Sequence, residues 1–299
     1  MNYLLHLVIY LSIYVIVAHG LNIIVGYCGL LSLGQAVFFA VGGYAYALVS
    51  LKFGMGLLPA ILVGFGCSII LSFLLSLPSW RLRGDQFVLI TLGFQALSYS
   101  VIYNWTSTNS AMGTCSNLTN GPFGIANIPR PSLFGFVIDS LGVLAVLSFV
   151  LAALCTLISW RLLSSPWGRL LKAIRDDELA SRGLGKNVRV AKVQAFAIAS
   201  GIASVGGSLY ASYVGYIDPG LASLDESILI LCMVVIGGLG NIRGPLIGAL
   251  ILTAAPEILR LAHVPNGIAA NIRLMCFGLL LTLLMHFRPH GVAGEYRFD

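Results

Sequence analysis

Ser164–Val193 reads SSPWGRLLKAIRDDELASRGLGKNVRVAKV, and its setting decides the fold. From Arg161 to Lys192 the chain carries eight of its 17 Lys and Arg residues and three acidic ones, in a protein that is 58% hydrophobic and 9% charged. A polar, basic insert between two long apolar runs belongs in water on the cytoplasmic side of a membrane, where Lys and Arg concentrate. The insert also has internal order. Ser165-Pro166 is a helix start, with Ser as cap and Pro at the first helical position. Trp167, Leu170, Leu171 and Ile174 then fall at i, i+3, i+4 and i+7, opposite Arg169, Lys172 and Arg175, which makes an amphipathic helix suited to the membrane surface. Asp176-Asp177-Glu178 opens a second, shorter helix with the negative charge that its dipole favours. Glu178 and Arg182 are spaced i, i+4, and Gly183 and Gly185 end the piece. Two readings stand for this knob: a rigid element carrying force from a soluble engine, or an ordinary solvated loop.

Working outward, composition rules out an ordinary soluble domain. The mean hydropathy is +0.93 over 299 residues, and soluble chains run about 25% charged. The net charge of +6 comes mostly from the 161–192 segment. It therefore reads as membrane orientation and not as nucleic-acid binding. A crossing helix needs roughly 20 apolar residues. Candidates lie at 4–24, 30–51, 57–77, 86–104, 136–160, 192–214, 226–242, 245–262 and 268–287, about nine crossings. The fold class expected is an all-α polytopic bundle of about 8–10 spans in one transmembrane domain covering 1–299, with 161–192 cytoplasmic and 104–135 external. Arg81, Arg83, Arg288 and Arg297 fall inside on this scheme, in independent agreement with it. The start, MNYLLHLVIYLSIYVIVAHG, has no basic leader region and reads as a retained helix. Its orientation stays open, because the Gly- and Ser-rich 20–52 region has room for a broken helix.

Two other interruptions stand out. Gly237–Pro245 is either a broken helix or a tight interhelical turn. Asp218-Pro219-Gly220 is a turn, after which Ser223 and Glu226 have capping-box spacing. Irregular backbone at membrane depth survives only where protein or water satisfies it, so such breaks are pathway candidates. Ala199, Ala203 and Gly207, beside Ser200, Ser204 and Ser208, form small-residue lines that read as close helix packing.

Absences narrow the chemistry. The chain has no G-x-x-x-x-G-K-[ST] loop, so nothing in it binds ATP by a recognisable motif. No nucleophile–base set or metal-ligand spacing is present, so neither an enzyme nor a cofactor is expected. Embedded ionisable groups are few: Glu257, with His6, His19 and Asp139 near span ends. The six cysteines lack C-x-x-C spacing and read as packing residues, with Cys115 alone in a long polar loop.

Six stretches then carry a resemblance. They are Gly26–Gln35 (GYCGLLSLGQ), Leu82–Asp85 (LRGD) with Thr91–Phe94 (TLGF), Asn117–Ile125 (NLTNGPFGI), Ser165–Gly185, Gly237–Pro245, and Arg288–Gly291 (RPHG). In this order the chain resembles the membrane-spanning subunits of branched-chain amino acid ATP-binding-cassette importers, the type usually called LivM. The resemblance implies a multi-pass protein of the cell inner membrane. Its partners would be a second homologous permease of the LivH type, two cytoplasmic ATP-binding subunits and an external substrate-binding protein facing the 104–135 loop. It makes Arg175, Asp176, Asp177, Glu178, Ala180, Ser181, Arg182, Gly183 and Gly185 the ATPase-coupling segment. Gln35 stands where the family commonly shows His, and Ser181 where a second Ala is usual. Ser32, Gly34, Gln35, Thr91 and Gln95 are candidate pathway groups, with a packing role as the alternative for each. Relatives of this importer class carrying urea, short amides or other neutral amino acids are the next reading, and a stand-alone ion-coupled carrier is a third.

Overall fold

A computed structural model describes residues 2–79, 85–107, 117–133 and 136–261, with Met275, Gly278, Leu279 and Thr282 beyond them. The Leu82–Gly84 and Arg288–Gly291 motifs, the rest of the 268–287 span, Arg81, Arg297, Cys115, Cys276 and the side chain of Glu257 lie outside the described residues.

Ten α-helices make up the described fold. They are α1 (Asn2–Asn22), α2 (Gln35–Phe53), α3 (Leu57–Ser79), α4 (Asp85–Asn104), α5 (Leu141–Ser164), α6 (Pro166–Asp176), α7 (Glu178–Gly183), α8 (Val188–Val214), α9 (Leu224–Gly237) and α10 (Arg243–Leu261). A π-helical turn, Ile23–Tyr27, extends α1, and a two-stranded hairpin, β1 (Ser132–Leu133) and β2 (Phe136–Val137), precedes α5. Among the described residues, six helical segments are long and apolar enough to cross a membrane: Tyr3–Tyr27, Gln35–Phe53, Leu57–Ser76, Gln86–Asn104, Leu141–Ser164 and Val188–Val214. The all-α polytopic bundle is thus as expected. The outer faces of α3, α4 and α5 expose side chains such as Leu62, Ile70, Leu89 and Val146, as helices facing lipid or a neighbouring subunit do.

α8 is the central post, packed against α1, α2 and α3. Its small-residue lines work as close packing. A Cβ on Gly207 would come within 1.8 Å of the Phe39 carbonyl oxygen, and Ser208 donates to the Gly42 carbonyl at 3.0 Å. The backbones of α2 and α8 therefore touch with no room for a larger residue.

Orientation, open in the sequence, is fixed by neighbours. His6 hydrogen-bonds Tyr213, and the Tyr10 and Tyr213 rings lie 5.2 Å apart, at the end of α8 far from the basic segment. The other end of α1 meets Arg175 of α6. The beginning of α1 therefore lies on the face opposite the basic segment.

Three expectations are corrected. The 30–51 span begins only at Gln35, because Cys28–Gly34 is irregular, as the broken-helix reading of 20–52 allowed. The 136–160 span begins at Leu141 after the hairpin. The 226–242 span is α9, whose 14 residues reach about 21 Å at 1.5 Å per residue, short of the roughly 30 Å of a bilayer core. Within Gly237–Pro245, residues 238–242 form a tight turn between α9 and α10. A Cβ on Gly248 would lie 1.7 Å from the Met233 carbonyl oxygen, so these two helices also meet backbone to backbone. Cys28, Cys155 and Cys232 are buried free thiols, as packing residues should be, whereas Cys67 is exposed.

Candidate functional site

At the basic end, Ser165 caps α6 by accepting from the Trp167 amide at 3.2 Å. Leu171 and Ile174 on α6 are buried. Protein, not lipid, covers this apolar face: α5, α8 and the π turn pack against it. The expectation of a helix lying on the membrane surface is corrected accordingly. Trp167 Nε1 donates to Gln194 Oε1 of α8 at 3.1 Å.

Asp177 caps α7, accepting from the Ala180 amide at 2.9 Å. Glu178 accepts from Arg182 on one oxygen and from Lys192 Nζ, at 2.8 Å, on the other. Burial raises the Glu178 pKa, but the hydrogen bonds and charges of Lys192 and Arg182 outweigh it and hold the carboxyl below its ordinary value. Arg175 also turns inward, its Nη1 donating to the Gly26 carbonyl at 2.8 Å. Of the nine coupling candidates, Asp176, Asp177, Ala180, Arg182, Gly183 and Gly185 are exposed, Ser181 is buried, and Arg175 and Glu178 are half-buried. Two residues missed in the sequence join the exposed set: Leu179 (61% exposed) and Leu184 (80%), large apolar side chains on a charged surface. The 161–192 segment is therefore not solvated throughout. Its first residues end α5, its last ones begin α8, and Lys192 is buried.

The five pathway candidates are buried within the single chain. Thr91 accepts from the Leu33 amide at 3.1 Å and donates to the Val88 carbonyl at 2.9 Å, and Ser32 accepts from the Gly34 amide. Gln35 Nε2 donates to the Ala199 carbonyl of α8 at 3.3 Å, and its Oε1 is buried without a protein partner. Gln95 Nε2 donates to the Ala222 carbonyl at 2.7 Å. The structure thus brings Ser32, Gly34 and Thr91 together, ties Gln35 to the central post, and ties Gln95 to the turn before α9. A cleft of about 420 Å³ between α2, α3 and α4 is apolar; Val37 and Phe94 help line it, and the five candidates do not.

The first turn of α9 lies at the middle of the bundle. Tyr14, near the centre of Tyr3–Tyr27, donates to Glu226 Oε1 at 2.9 Å. Gln95, the centre of Gln86–Asn104, holds Ala222, and Ser227 Oγ accepts from the Ala36 amide where α2 begins. Two helices therefore start at mid-depth, side by side. Ser223 caps α9, accepting from the Glu226 amide at 3.3 Å, while the Glu226 carboxylate goes to Tyr14 and does not close the capping box. Asp225 beside it is exposed. Spacing alone marked Glu226 as a cap and hid its bond to Tyr14, and nothing in the apolar count singled out Asp225.

Residues 3–285 match the family model described as "Branched-chain amino acid transport system / permease component". The chain is 31% identical to the high-affinity branched-chain amino acid transport system permease protein LivM of Escherichia coli, over 95% of this chain and 68% of that protein. It is 27% identical to a probable branched-chain amino acid transport permease protein LivM of Methanocaldococcus jannaschii, over 97% of this chain and 92% of that protein. It is also 25% identical to the autoinducer 2 import system permease protein LsrC of Salmonella paratyphi B, over 60% of this chain and 49% of that protein. The chain belongs to the family of branched-chain amino acid transport system permease components, as a multi-pass membrane subunit of the LivM type.

Proposed function

We propose that this chain forms one half of the translocation pathway of an ATP-driven importer of branched-chain amino acids in the cell inner membrane. A second permease of the LivH type, two cytoplasmic ATP-binding subunits and an external substrate-binding protein complete the machine. The basic face is the cytoplasmic one by the positive-inside rule, so the beginning of α1 lies outside.

One observation carries the reading. Asp225 is exposed on the single chain at the depth where the midpoints of α1 and α4 meet α9, beside Leu224 and Ile228, which are also exposed. A carboxylate facing hydrocarbon at mid-bilayer is costly, and intramembrane ionisable groups face a bundle interior or a water-filled pathway. This face of α9 is therefore closed by a second subunit around an aqueous route. Substrate sites of transporters lie near the midplane, where discontinuous helices begin, and α2 and α9 both begin there. Ser32, Gly34, Gln35, Thr91 and Gln95 surround these two starts and form the polar wall behind the route. The force enters at α7, where Asp176, Asp177, Ala180, Arg182, Gly183 and Gly185 frame Leu179 and Leu184 for docking on an ATP-binding subunit. Glu178 and Ser181 hold α7 in place from its buried side.

Asp225→Cys in a cysteine-free background tests the pathway. In the assembled transporter, the introduced thiol reacts with a membrane-impermeant thiol reagent or cross-links to the second permease. Reaction with a lipid-soluble maleimide alone would put this face in hydrocarbon and overturn the reading.

A further inference from the structure

We infer that Arg175 is a positioning residue of the transport cycle: its side chain carries movement of α6 and α7 into the turn that leads to Ser32–Gln35. The inference rests on the importer reading above, and gives Arg175 a role distinct from docking. Its side chain is 10% exposed, turned inward like that of Lys192, whereas Arg169, Asp176, Asp177, Arg182, Lys186 and Arg189 are exposed. The guanidinium donates to the Gly26 carbonyl at 2.8 Å, and its Nε donates to Asp176 Oδ1 at 3.1 Å. Gly26 lies in the π turn that ends the first span, among the carbonyls that a helix terminus leaves without intrahelical donors. A cation there also meets the negative end of the helix dipole.

The contact has a second point. Gly29 adopts φ +70°, and a Cβ on it would fall 2.6 Å from Arg175 Cγ. The arginine stem fills space that only a glycine leaves. One turn earlier, the Lys172 ammonium lies 5.3 Å from the centroid of the Tyr27 ring. Two successive cations of α6 therefore grip residues 26–29 from below.

The gripped segment is a loosely wound one. Its amides reach back five or six residues, Cys28 to Ile23 and Leu30 to Ile24, both at 3.2 Å, and π turns of this kind concentrate at functional sites. Onward, Leu33 bonds Thr91 of α4 and Gln35 bonds Ala199 of α8. On its other flank, Asn22 donates to the Asn241 carbonyl at 3.0 Å and accepts from the Gly240 amide, joining the same end of α1 to the α9–α10 turn. A shift of α6 is thus delivered through Arg175 to the backbone between a docking surface and the pathway wall.

The test uses the complete transporter in proteoliposomes, with labelled leucine, and compares Arg175→Ala and Arg175→Lys with Leu184→Asp. Three quantities are read: co-purification of the ATP-binding subunit, ATP hydrolysis, and leucine taken up per ATP. Arg175→Ala keeps the first two and lowers uptake per ATP about tenfold, the loss of one charge-assisted hydrogen bond. Arg175→Lys recovers part of that loss, because an ammonium keeps the charge but not the guanidinium fork. Leu184→Asp instead loses the ATP-binding subunit. Should Arg175→Ala fail to accumulate, Arg175→Lys carries the same test, with a smaller fall in uptake per ATP. Loss of the ATP-binding subunit by the Arg175 variants would make Arg175 a docking residue and overturn the inference, as would unchanged uptake per ATP. Uptake by the unmodified chain without ATP would instead sink the importer reading, and this inference with it.

Discussion

Glu178 Oε2 and Lys192 Nζ are 2.8 Å apart, and this bond ties the short helix α7 to the central post α8 near its start. The lysine side chain is only 6% exposed, in a segment that reads as solvated by its charge. Removing the carboxylate leaves a buried ammonium without its anion, and breaking such a pair costs more than the pair itself contributes. Glu178→Lys is expected to lower stability by about 1–3 kcal/mol, seen as a reduced Tm of the purified chain in detergent. Glu178→Gln, which keeps an acceptor, is expected to cost less.

The same pair sets a pH dependence. The Glu178 carboxyl is held below its ordinary value, so its contribution is complete above the unfolded value of about 4.3 and is lost as pH falls through the lower folded value. Tm is expected to show no Glu178-dependent change from about pH 5 upward. Below that range the difference between the native chain and Glu178→Gln should shrink. A difference that instead grows with acidification would contradict the assignment.

The knob has an outward face as well. Leu179 and Leu184 contribute little to the fold of the single chain, since both are mostly exposed. Leu184→Asp is expected to change stability by no more than about 0.5 kcal/mol while releasing the ATP-binding subunit in a pull-down. A stable complex with this variant would remove Leu184 from the docking surface.

In the bundle, Gly207→Val drives a side chain into the Phe39 carbonyl, 1.8 Å from where its Cβ must lie. Overpacking at such a seam costs about 1–3 kcal/mol, and here the neighbour is backbone with no rotamer to yield. Thermal unfolding in detergent should show the loss, whereas Cys155→Ala, which only trims a buried side chain on α5, should cost less.

How much of this was legible in the sequence depends on which physical signal each part writes. Long apolar runs write the spans directly, Ser165-Pro166 writes its cap, and the charge of Asp176-Asp177-Glu178 writes the start of α7, so α5 to α8 fall close to where expected. Small residues at i, i+4 announced the α2–α8 contact without naming the partner. Depth writes nothing. The start of α9 at the midpoint of α1 and α4 depends on the short return after α8, and α9 with α10 reads as two ordinary spans. Inward-turned charges are equally silent: Lys192 and Arg175 add to the basic count like any solvated cation, and only the contacts of Lys192 with Glu178 and of Arg175 with the π turn show that they face inward. Gln35 stood out by type, and its bond to Ala199 needs the fold.

Uptake by the assembled transporter tests the central claim most directly. The chain would be reconstituted in proteoliposomes with its partner permease, ATP-binding subunits and binding protein, then offered labelled leucine with and without ATP. The account predicts uptake that requires ATP and the binding protein and is blocked by unlabelled isoleucine and valine. Uptake of urea or a different neutral amino acid in place of leucine would keep the machine and contradict the cargo. Leucine uptake by the chain alone, driven by an ion gradient without ATP, would contradict the account at its root.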